Sequence, residues 1–191
     1  MAKLYFRYGA MGSGKSIDLL KVAYNYKERG QNTLILTSSL DNRFGNNKIA
    51  SRIGVSIDAI CVDYNTNILE LFRNENNKKK IDCVLVDESQ FLKKNQILQL
   101  SDICDLENVP VIAYGLRSDF KMCTFEGSEA LLSISDIIEE VKTICWCGKK
   151  AITNARICDG KITTDGEQIF VGNINYISLC RKHFKEGKLC K

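Results

Sequence analysis

The stretch Gly9-Ala-Met-Gly-Ser-Gly-Lys15-Ser16 decides the fold class of this chain. It fits the pattern G-x-x-x-x-G-K-[ST], in which glycines let backbone N–H groups turn inward around phosphate oxygens without side-chain clashes. Residues 3–8 alternate in polarity as a strand does, and residues 16–29 carry apolar side chains at helical spacing. A chance glycine-rich turn needs no such flanking elements, so the stretch predicts a loop that binds a nucleoside triphosphate.

Two side chains of this loop have chemistry that suits a bound triphosphate. Lys15 is expected to pair with the β- and γ-phosphates, and the Ser16 hydroxyl to ligate Mg²⁺. The amino end of the following helix adds partial positive charge. We predict nucleotide contacts for this loop and for one later stretch, namely Gly9, Ala10, Met11, Gly12, Ser13, Gly14, Lys15, Ser16, Asp87, Glu88, Ser89 and Gln90.

Strands that alternate with helices continue along the chain and predict a parallel sheet. The pattern predicts strands at 33–37, 56–62, 81–86, 109–114 and 137–143, and helices at 67–72, 96–104 and 126–132. Residues 81–86 are almost continuously apolar, as in a sheet covered on both faces. Residues 41–54 are polar and rich in Asn and Gly, which predicts a long loop. The fold class is therefore α/β, a P-loop NTPase-like parallel sheet flanked by helices.

Composition limits the function classes that the chain can belong to. With 191 residues and 45% hydrophobic residues, it fits one main domain with a small addition. No run of about 18 apolar residues occurs, which excludes a membrane span, and the amino end lacks an apolar signal core, which favours the cytoplasm. The net charge of +4 is too small to indicate a nucleic-acid partner.

An acidic pair follows the apolar strand, in the sequence Val84-Leu-Val-Asp87-Glu88. Ligands of open parallel sheets bind at the carboxyl ends of the strands. Asp87 is then expected to hold Mg²⁺, and Glu88 to act as the general base for the oxygen that attacks the γ-phosphate. Alternatively, Glu88 merely begins the next helix, where acidic residues are common. The pair leaves open whether water or a substrate hydroxyl is the nucleophile.

A second module begins after Thr143, where short strands and clustered cysteines replace the alternating pattern. The pairs Cys145-Trp-Cys147 and Cys180-Arg-Lys-His183 offer four soft ligands, which suits structural Zn²⁺. Buried thiols beside a core histidine are the alternative, and Cys190 is a substitute ligand. We predict domains at 1–143 and 144–191. The other cysteines are interpreted as structural, namely Cys61, Cys83, Cys104, Cys123 and Cys158.

These motifs together resemble the type II thymidine kinase family. The phosphate loop with Met11, the stretch Asp87-Glu-Ser-Gln-Phe91, the stretch Gly115-Leu-Arg-Ser-Asp-Phe120 and the Cys/His pairs occur in the family's order. The resemblance implies a kinase domain at 1–143, a zinc-binding lasso domain at 144–191, and transfer of the γ-phosphate of ATP to the 5′-hydroxyl of thymidine. It places Glu88 at the catalytic base.

The resemblance also implies a set of substrate contacts. Asp41 and Arg43 match an Asp-x-Arg near the phosphates, whereas Arg52 stands where the family often has His and is interpreted as a surface residue. A lasso loop from about Gly166 is expected to cover the base. The residues implied at thymidine are Met11, Gln90, Leu116, Phe120, Phe125, the main chain of Phe170, Val171, Gly172 and Asn173, and Tyr176.

The family resemblance further implies a homotetramer, pyrimidine deoxynucleoside salvage for DNA synthesis, and feedback inhibition by thymidine triphosphate. ATP and thymidine are the expected partners, with neither nucleic acid nor a membrane. The alternative function is a zinc-ribbon P-loop ATPase that acts on nucleic acid. A basic, aromatic-lined surface would favour that alternative, and the sequence shows no such composition.

Overall fold

The computed structural model describes residues 1–40, 48–50, 54–169 and 175–190 of the chain. Its strands, in chain order, are β1 Leu4–Tyr8, β2 Thr33–Ser38, β3 Lys48–Ala50, β4 Ser56–Asp58, β5 Ile60–Val62, β6 Cys83–Asp87, β7 Val111–Gly115, β8 Ile137–Glu140, β9 Thr143–Ile144, β10 Lys150–Ala151, β11 Thr153–Cys158, β12 Lys161–Thr163 and β13 Asn175–Leu179. Its helices are α1 Lys15–Glu28, α2 Ile68–Lys78, α3 Lys94–Leu106, α4 Glu126–Ile134 and α5 Arg181–Glu186.

Six strands form the main sheet in the order β5-β2-β6-β7-β1-β8, and each neighbouring pair is parallel. The prediction of a parallel α/β sheet is therefore confirmed. All residues of β6 and β7 are buried, as their apolar sequences predict for strands with both faces covered. This placement brings the carboxyl ends of β6 and β7 side by side at one edge of the sheet.

Helices cover both faces of the sheet and bury their apolar sides. On one face, Phe72 of α2, Leu100 of α3 and Leu131 of α4 join the larger core cluster. On the other face, Leu19 of α1 packs with Tyr114 of β7 in a second cluster. Burial of apolar surface, which contributes about 25 cal/mol of stabilisation for each Å², holds these layers together. The sheet is thus a fixed platform for the loops at its carboxyl end.

The predicted loop at 41–54 is wrong for three of its residues. Residues 48–50 form β3, which pairs antiparallel with β4, and the side chain of Ile49 is buried in the core cluster of α1. The predicted strand at 56–62 is divided into β4 and β5. Nothing in the local composition indicated β3, because a strand of three residues is too short to show a period.

The C-terminal strands form two small antiparallel sheets, β9 with β10 and β11 between β12 and β13. Together with α5 they are called the ribbon below. Their own core contains Ala155, Leu179 and Phe184. The predicted strand at 137–143 is shorter, since β8 ends at Glu140 and β9 begins a separate pairing.

Within the part of the chain that the structure describes, no helix combines the length and apolar character that a membrane crossing requires.

Candidate active site and metal centre

The phosphate loop joins β1 to α1, and its glycines adopt backbone conformations that other residues seldom reach. Gly12 has a φ of 69° and Gly14 a φ of 88°, both in the left-handed region. The Lys15 side chain is buried, and its Nζ donates to the carbonyl oxygens of Gly9 at 3.2 Å and Ala10 at 3.1 Å. The loop is therefore curled around its own lysine, which lies at the start of α1.

Asp87 ends β6 and meets the first turn of α1. Ser16 Oγ donates to Asp87 Oδ2 at 2.9 Å, and Asp87 as a residue is 4% exposed. Burial raises the pKa of Asp87 to about 7, and the neighbouring charge of Glu88 acts in the same direction. A hydroxyl and a carboxylate side by side are hard oxygen ligands, so these two residues fit Mg²⁺.

Glu88 follows Asp87 with a left-handed backbone, at a φ of 50°. That conformation is uncommon for a residue with a side chain and is found preferentially at functional sites. Gln90 Nε2 donates to Glu88 Oε2, while Gln90 Oε1 accepts the Leu116 N–H at 3.0 Å. The Gln90 amide is thus held by the residue that follows β7, and it orients the Glu88 carboxylate.

The turn Ser89–Phe91 is packed tightly against the end of β7. Ser89 Oγ donates to the Tyr114 carbonyl oxygen at 2.9 Å, and a Cβ at Gly115 would lie only 2.6 Å from that Oγ. A glycine is thus required at the close approach of the turn to β7. This close approach explains the glycine that begins the stretch Gly115-Leu-Arg-Ser-Asp-Phe120.

The predicted base-pocket residues lie around the loop that follows β7. Phe120 and Phe125 are almost fully buried, and Phe125 meets Phe91 edge to face with ring centroids 5.8 Å apart. Leu116 is partly exposed, and its carbonyl oxygen accepts Ser128 Oγ. Aromatic edges and faces of this kind form walls suited to a planar base.

Two ribbon residues that the sequence did not single out hold the phosphate loop at Met11. Asn154 Oδ1 accepts the Met11 N–H at 2.8 Å, and Ser178 Oγ donates to the Met11 carbonyl oxygen. Asn154 and Ser178 face each other across β11 and β13. Asn154 Nδ2 also donates to the Ser118 carbonyl oxygen at 2.9 Å. No local sequence signal could identify the two contacts with Met11, because they join residues 143 and 167 positions apart.

The ribbon brings four predicted metal ligands together. The ligand atoms of Cys145, Cys147, Cys180 and His183 all lie within 4.8 Å of one another. Cys145 Sγ lies 3.4 Å from His183 Nδ1, and Cys147 Sγ lies 4.0 Å from Cys180 Sγ. Tetrahedral zinc with bonds of about 2.0–2.3 Å separates its ligands by roughly 3.5–3.8 Å. The donor set therefore fits structural Zn²⁺, and the single-residue spacing of Cys145 and Cys147 does not prevent it.

Local geometry prepares this cluster for a metal. Burial opposes ionisation of Cys145, but N–H groups of Cys147 and Cys180 and the His183 ring outweigh it and lower the pKa of Cys145 to about 6. A thiolate is the form that binds metal. Trp146 stacks on the His183 ring, with centroids 4.1 Å apart, and fixes its plane.

The remaining cysteines divide into two groups. Cys83 and Cys104 are buried in the core, as a packing role predicts, and Cys61 is partly buried. Cys123 and Cys158 are exposed, so the structural interpretation is wrong for these two. Cys190 is also exposed and is absent from the ligand group found among the described residues.

Several predicted site residues lie outside the described residues, namely Asp41, Arg43, Phe170, Val171, Gly172 and Asn173, as does Arg52, which is interpreted as a surface residue. Their roles stay predictions. Tyr176, on β13, is described and contacts the ribbon arginine Arg156.

A parallel sheet with a glycine-lined phosphate loop at β1 and an acidic pair at β6 defines a P-loop α/β protein. Comparison with known proteins narrows the class. The profile of the family described as "Thymidine kinase" matches residues 2–184. The chain belongs to the thymidine kinase family.

Curated relatives agree with this assignment over nearly the whole chain. The thymidine kinase of Rhodopirellula baltica is 52% identical over 98% of this chain and 90% of its own length. That of Francisella tularensis is 50% identical over 98% of both chains. The thymidine kinase of Haemophilus influenzae is 50% identical over 97% of both chains.

Proposed function

We propose that this chain is a thymidine kinase that transfers the γ-phosphoryl group of ATP to the 5′-hydroxyl of thymidine, giving thymidine monophosphate and ADP. The observation that carries the proposal is the Asp87-Glu88 pair, positioned at the end of β6 with Glu88 oriented by Gln90. Membership in the thymidine kinase family supports thymidine as the substrate. A base held beside the phosphate loop suits a hydroxyl nucleophile better than free water does.

Glu88 accepts the proton of the 5′-hydroxyl while its oxygen attacks the γ-phosphorus and the bond to ADP breaks. Lys15 neutralises charge on the β- and γ-phosphates, for which it must exchange its loop carbonyl partners for phosphate oxygens. When bound at Ser16 and Asp87, Mg²⁺ supplies further charge neutralisation on the triphosphate. The left-handed backbone of Glu88 sets the direction from which its carboxylate approaches.

Thymine is proposed to bind among Met11, Leu116, Phe120, Phe125 and Tyr176. The main chain of 170–173 is proposed to pair with its polar edge. A polar edge left unpaired on burial costs about 1–3 kcal/mol, so fixed N–H and C=O groups discriminate well between bases. Support comes from the burial of Phe120 and Phe125 and from the two hydrogen bonds that hold Met11.

Zinc bound by the Cys/His group is proposed to have a structural role. With four protein ligands it has no open position for substrate, so it would stabilise the ribbon. The domain limits 1–143 and 144–191 are also proposed, because β8 is the last strand of the main sheet and the later strands form separate small sheets.

Asp41 and Arg43 are proposed to lie near the phosphates. A homotetramer, feedback inhibition by thymidine triphosphate, a cytoplasmic location and a role in nucleoside salvage are proposed from the family. ATP and Mg²⁺ are the proposed cosubstrate and cofactor.

The direct test measures ADP release by the purified protein with Mg-ATP, in the presence and absence of thymidine. We expect release that depends on thymidine and saturates with it. Mass analysis of the product should show thymidine monophosphate in amounts equal to ADP. ADP release that responds to DNA and ignores thymidine would instead favour an ATPase that acts on nucleic acid.

A further inference from the structure

Arg156 is a buried arginine on β11 for which neither the catalytic step nor the metal centre accounts. The residue as a whole is only 4% exposed. Among the residues with described positions, no carboxylate lies within ion-pair distance of it. Burying a guanidinium is costly unless other groups satisfy its charge and its N–H donors. The groups that do so here lie in the proposed thymidine site or directly beside it.

Two hydrogen bonds connect Arg156 to separate parts of the ribbon. Nε donates to the Tyr176 hydroxyl at 2.9 Å, and Nη2 donates to the Glu167 carbonyl oxygen at 3.0 Å. Glu167 precedes, and Tyr176 follows, the stretch proposed to pair with the thymine edge. One side chain therefore fixes the position of both flanks.

The guanidinium of Arg156 also lies on the Phe120 ring. Its Cζ is 3.5 Å from the centre of that ring and 5.6 Å from the centre of the Tyr176 ring. A planar cation over an aromatic face is attracted to it, and the attraction grows when water is excluded. Phe120 is 1% exposed, so this contact is shielded from solvent. Arg156 thus places two aromatic rings relative to each other.

Neighbouring contacts leave little freedom in this arrangement. Gln168 Nε2 donates to Asp119 Oδ2 at 2.9 Å and to the Thr124 carbonyl oxygen at 3.2 Å. Gly166 has a φ of 105°, and a Cβ there would lie 3.1 Å from Arg156 Nη1. The glycine gives the guanidinium room beside the backbone.

We propose that Arg156 is a positioning residue for the nucleoside, which sets the spacing between Phe120, Tyr176 and the Glu167 backbone. The inference rests on the proposed thymidine kinase function. An arginine is needed because its planar fork makes two hydrogen bonds and one stacking contact at once, which a lysine ammonium cannot do. Substrate affinity for thymidine, and not for ATP, is the quantity that Arg156 controls.

The test compares Arg156→Met with wild type in steady-state kinetics, varying thymidine and ATP separately. Methionine keeps much of the apolar stem but removes the charge and all donors. We expect the KM for thymidine to rise about 10- to 100-fold, while kcat and the KM for ATP change by less than about threefold. Arg156→Lys should regain only part of the loss. Arg73→Met, which removes an exposed arginine paired with Glu107, is the matched control and should match wild type.

Tyr176→Phe removes only the hydroxyl that accepts from Arg156, and it tests the proposal without risk to the core. We expect a smaller rise in the thymidine KM, and a double variant whose effects are not additive. Equal rises in both KM values, or an unchanged thymidine KM in folded variants with normal zinc content, would overturn the proposal. Failure of the kinase function itself would show in wild type, as ADP release that does not depend on thymidine.

Discussion

The phosphate loop and the ribbon contact each other at Met11, yet the two regions obtain their geometry in opposite ways. In the phosphate loop, Lys15 reaches carbonyl oxygens five and six positions earlier, and left-handed glycines provide the curvature. In the ribbon, Asn154 reaches Met11 across 143 positions. The loop is a short-range structure that a motif can specify, whereas the ribbon acts through contacts that exist only after folding.

This difference teaches how a residue's effect should be measured. Changes beside the phosphate loop should alter the chemical step directly, because Asp87 and Glu88 are proposed to act on the transferred group and its magnesium ion. Changes in the ribbon should act through the position of other residues, and so appear as altered binding or stability. Three predictions test that division, in order of decreasing effect.

The largest effect is expected for Glu88→Gln. This change keeps the shape but removes the basic carboxylate, so turnover should fall about 10²–10⁴-fold. Nucleotide binding should persist, since Lys15 and Ser16 are untouched. Single-turnover kinetics and ATP titration by calorimetry would separate the two quantities.

Ser101→Ala, on the exposed side of α3, serves as the control for that variant. It should leave both turnover and ATP affinity at the wild-type level. Near-normal turnover in Glu88→Gln would remove Glu88 from the role of base.

The next effect concerns the ribbon. Metal analysis of the wild type should find one zinc ion per chain. A Cys180→Ser/His183→Ala variant should contain none. The ribbon then loses its cross-link, so the melting temperature should fall, and affinity should drop more for thymidine than for ATP. ATP affinity should fall by a smaller amount, because the ribbon reaches the phosphate loop through its contacts with Met11.

The matched control is Cys190→Ser, which removes an exposed thiol outside the ligand group. It should retain one zinc per chain and the wild-type melting temperature. If the double variant kept its zinc, the ligand assignment would be wrong.

The smallest effect is on stability at the acidic pair. Because burial raises the pKa of Asp87 above that of the unfolded chain, its ionisation opposes folding when no Mg²⁺ is present. Asp87→Asn should therefore stabilise the Mg²⁺-free protein. The gain should be absent below about pH 3, where the carboxyl is protonated in both the folded and the unfolded state. It should grow as the pH rises and level off above about pH 7.

We expect a rise in melting temperature of roughly 2–6 °C at pH 8, measured by calorimetry without added Mg²⁺ and without a chelator that would remove zinc. Added Mg²⁺ should stabilise wild type more than the variant. An unchanged or lower melting temperature for Asp87→Asn at pH 8 would contradict the raised pKa.

Sequence reasoning succeeded where a pattern is short and repeated. The strands β1, β2, β6 and β7 were predicted within two residues at each end, because buried parallel strands have continuous or alternating apolar residues. It failed at β3 and at Cys123 and Cys158, where burial depends on distant packing. Asn154, Ser178 and Arg156 gave no signal at all, since an isolated polar residue in a strand has the same appearance whether it faces solvent or a partner.

By itself, the sequence determined the phosphate loop, the acidic pair, the succession of strands and helices along the chain, and the four metal-ligand candidates. Each of these is recognised from residues a few positions apart, the metal ligands as two short pairs, so local backbone geometry limits what each stretch can form. Only the tertiary structure decided that Asn154 and Ser178 hold Met11, and that Arg156 joins Phe120 to Tyr176. Those contacts join residues between 20 and 167 positions apart in the chain, and their geometry exists only once hydrophobic burial has packed the ribbon against the sheet.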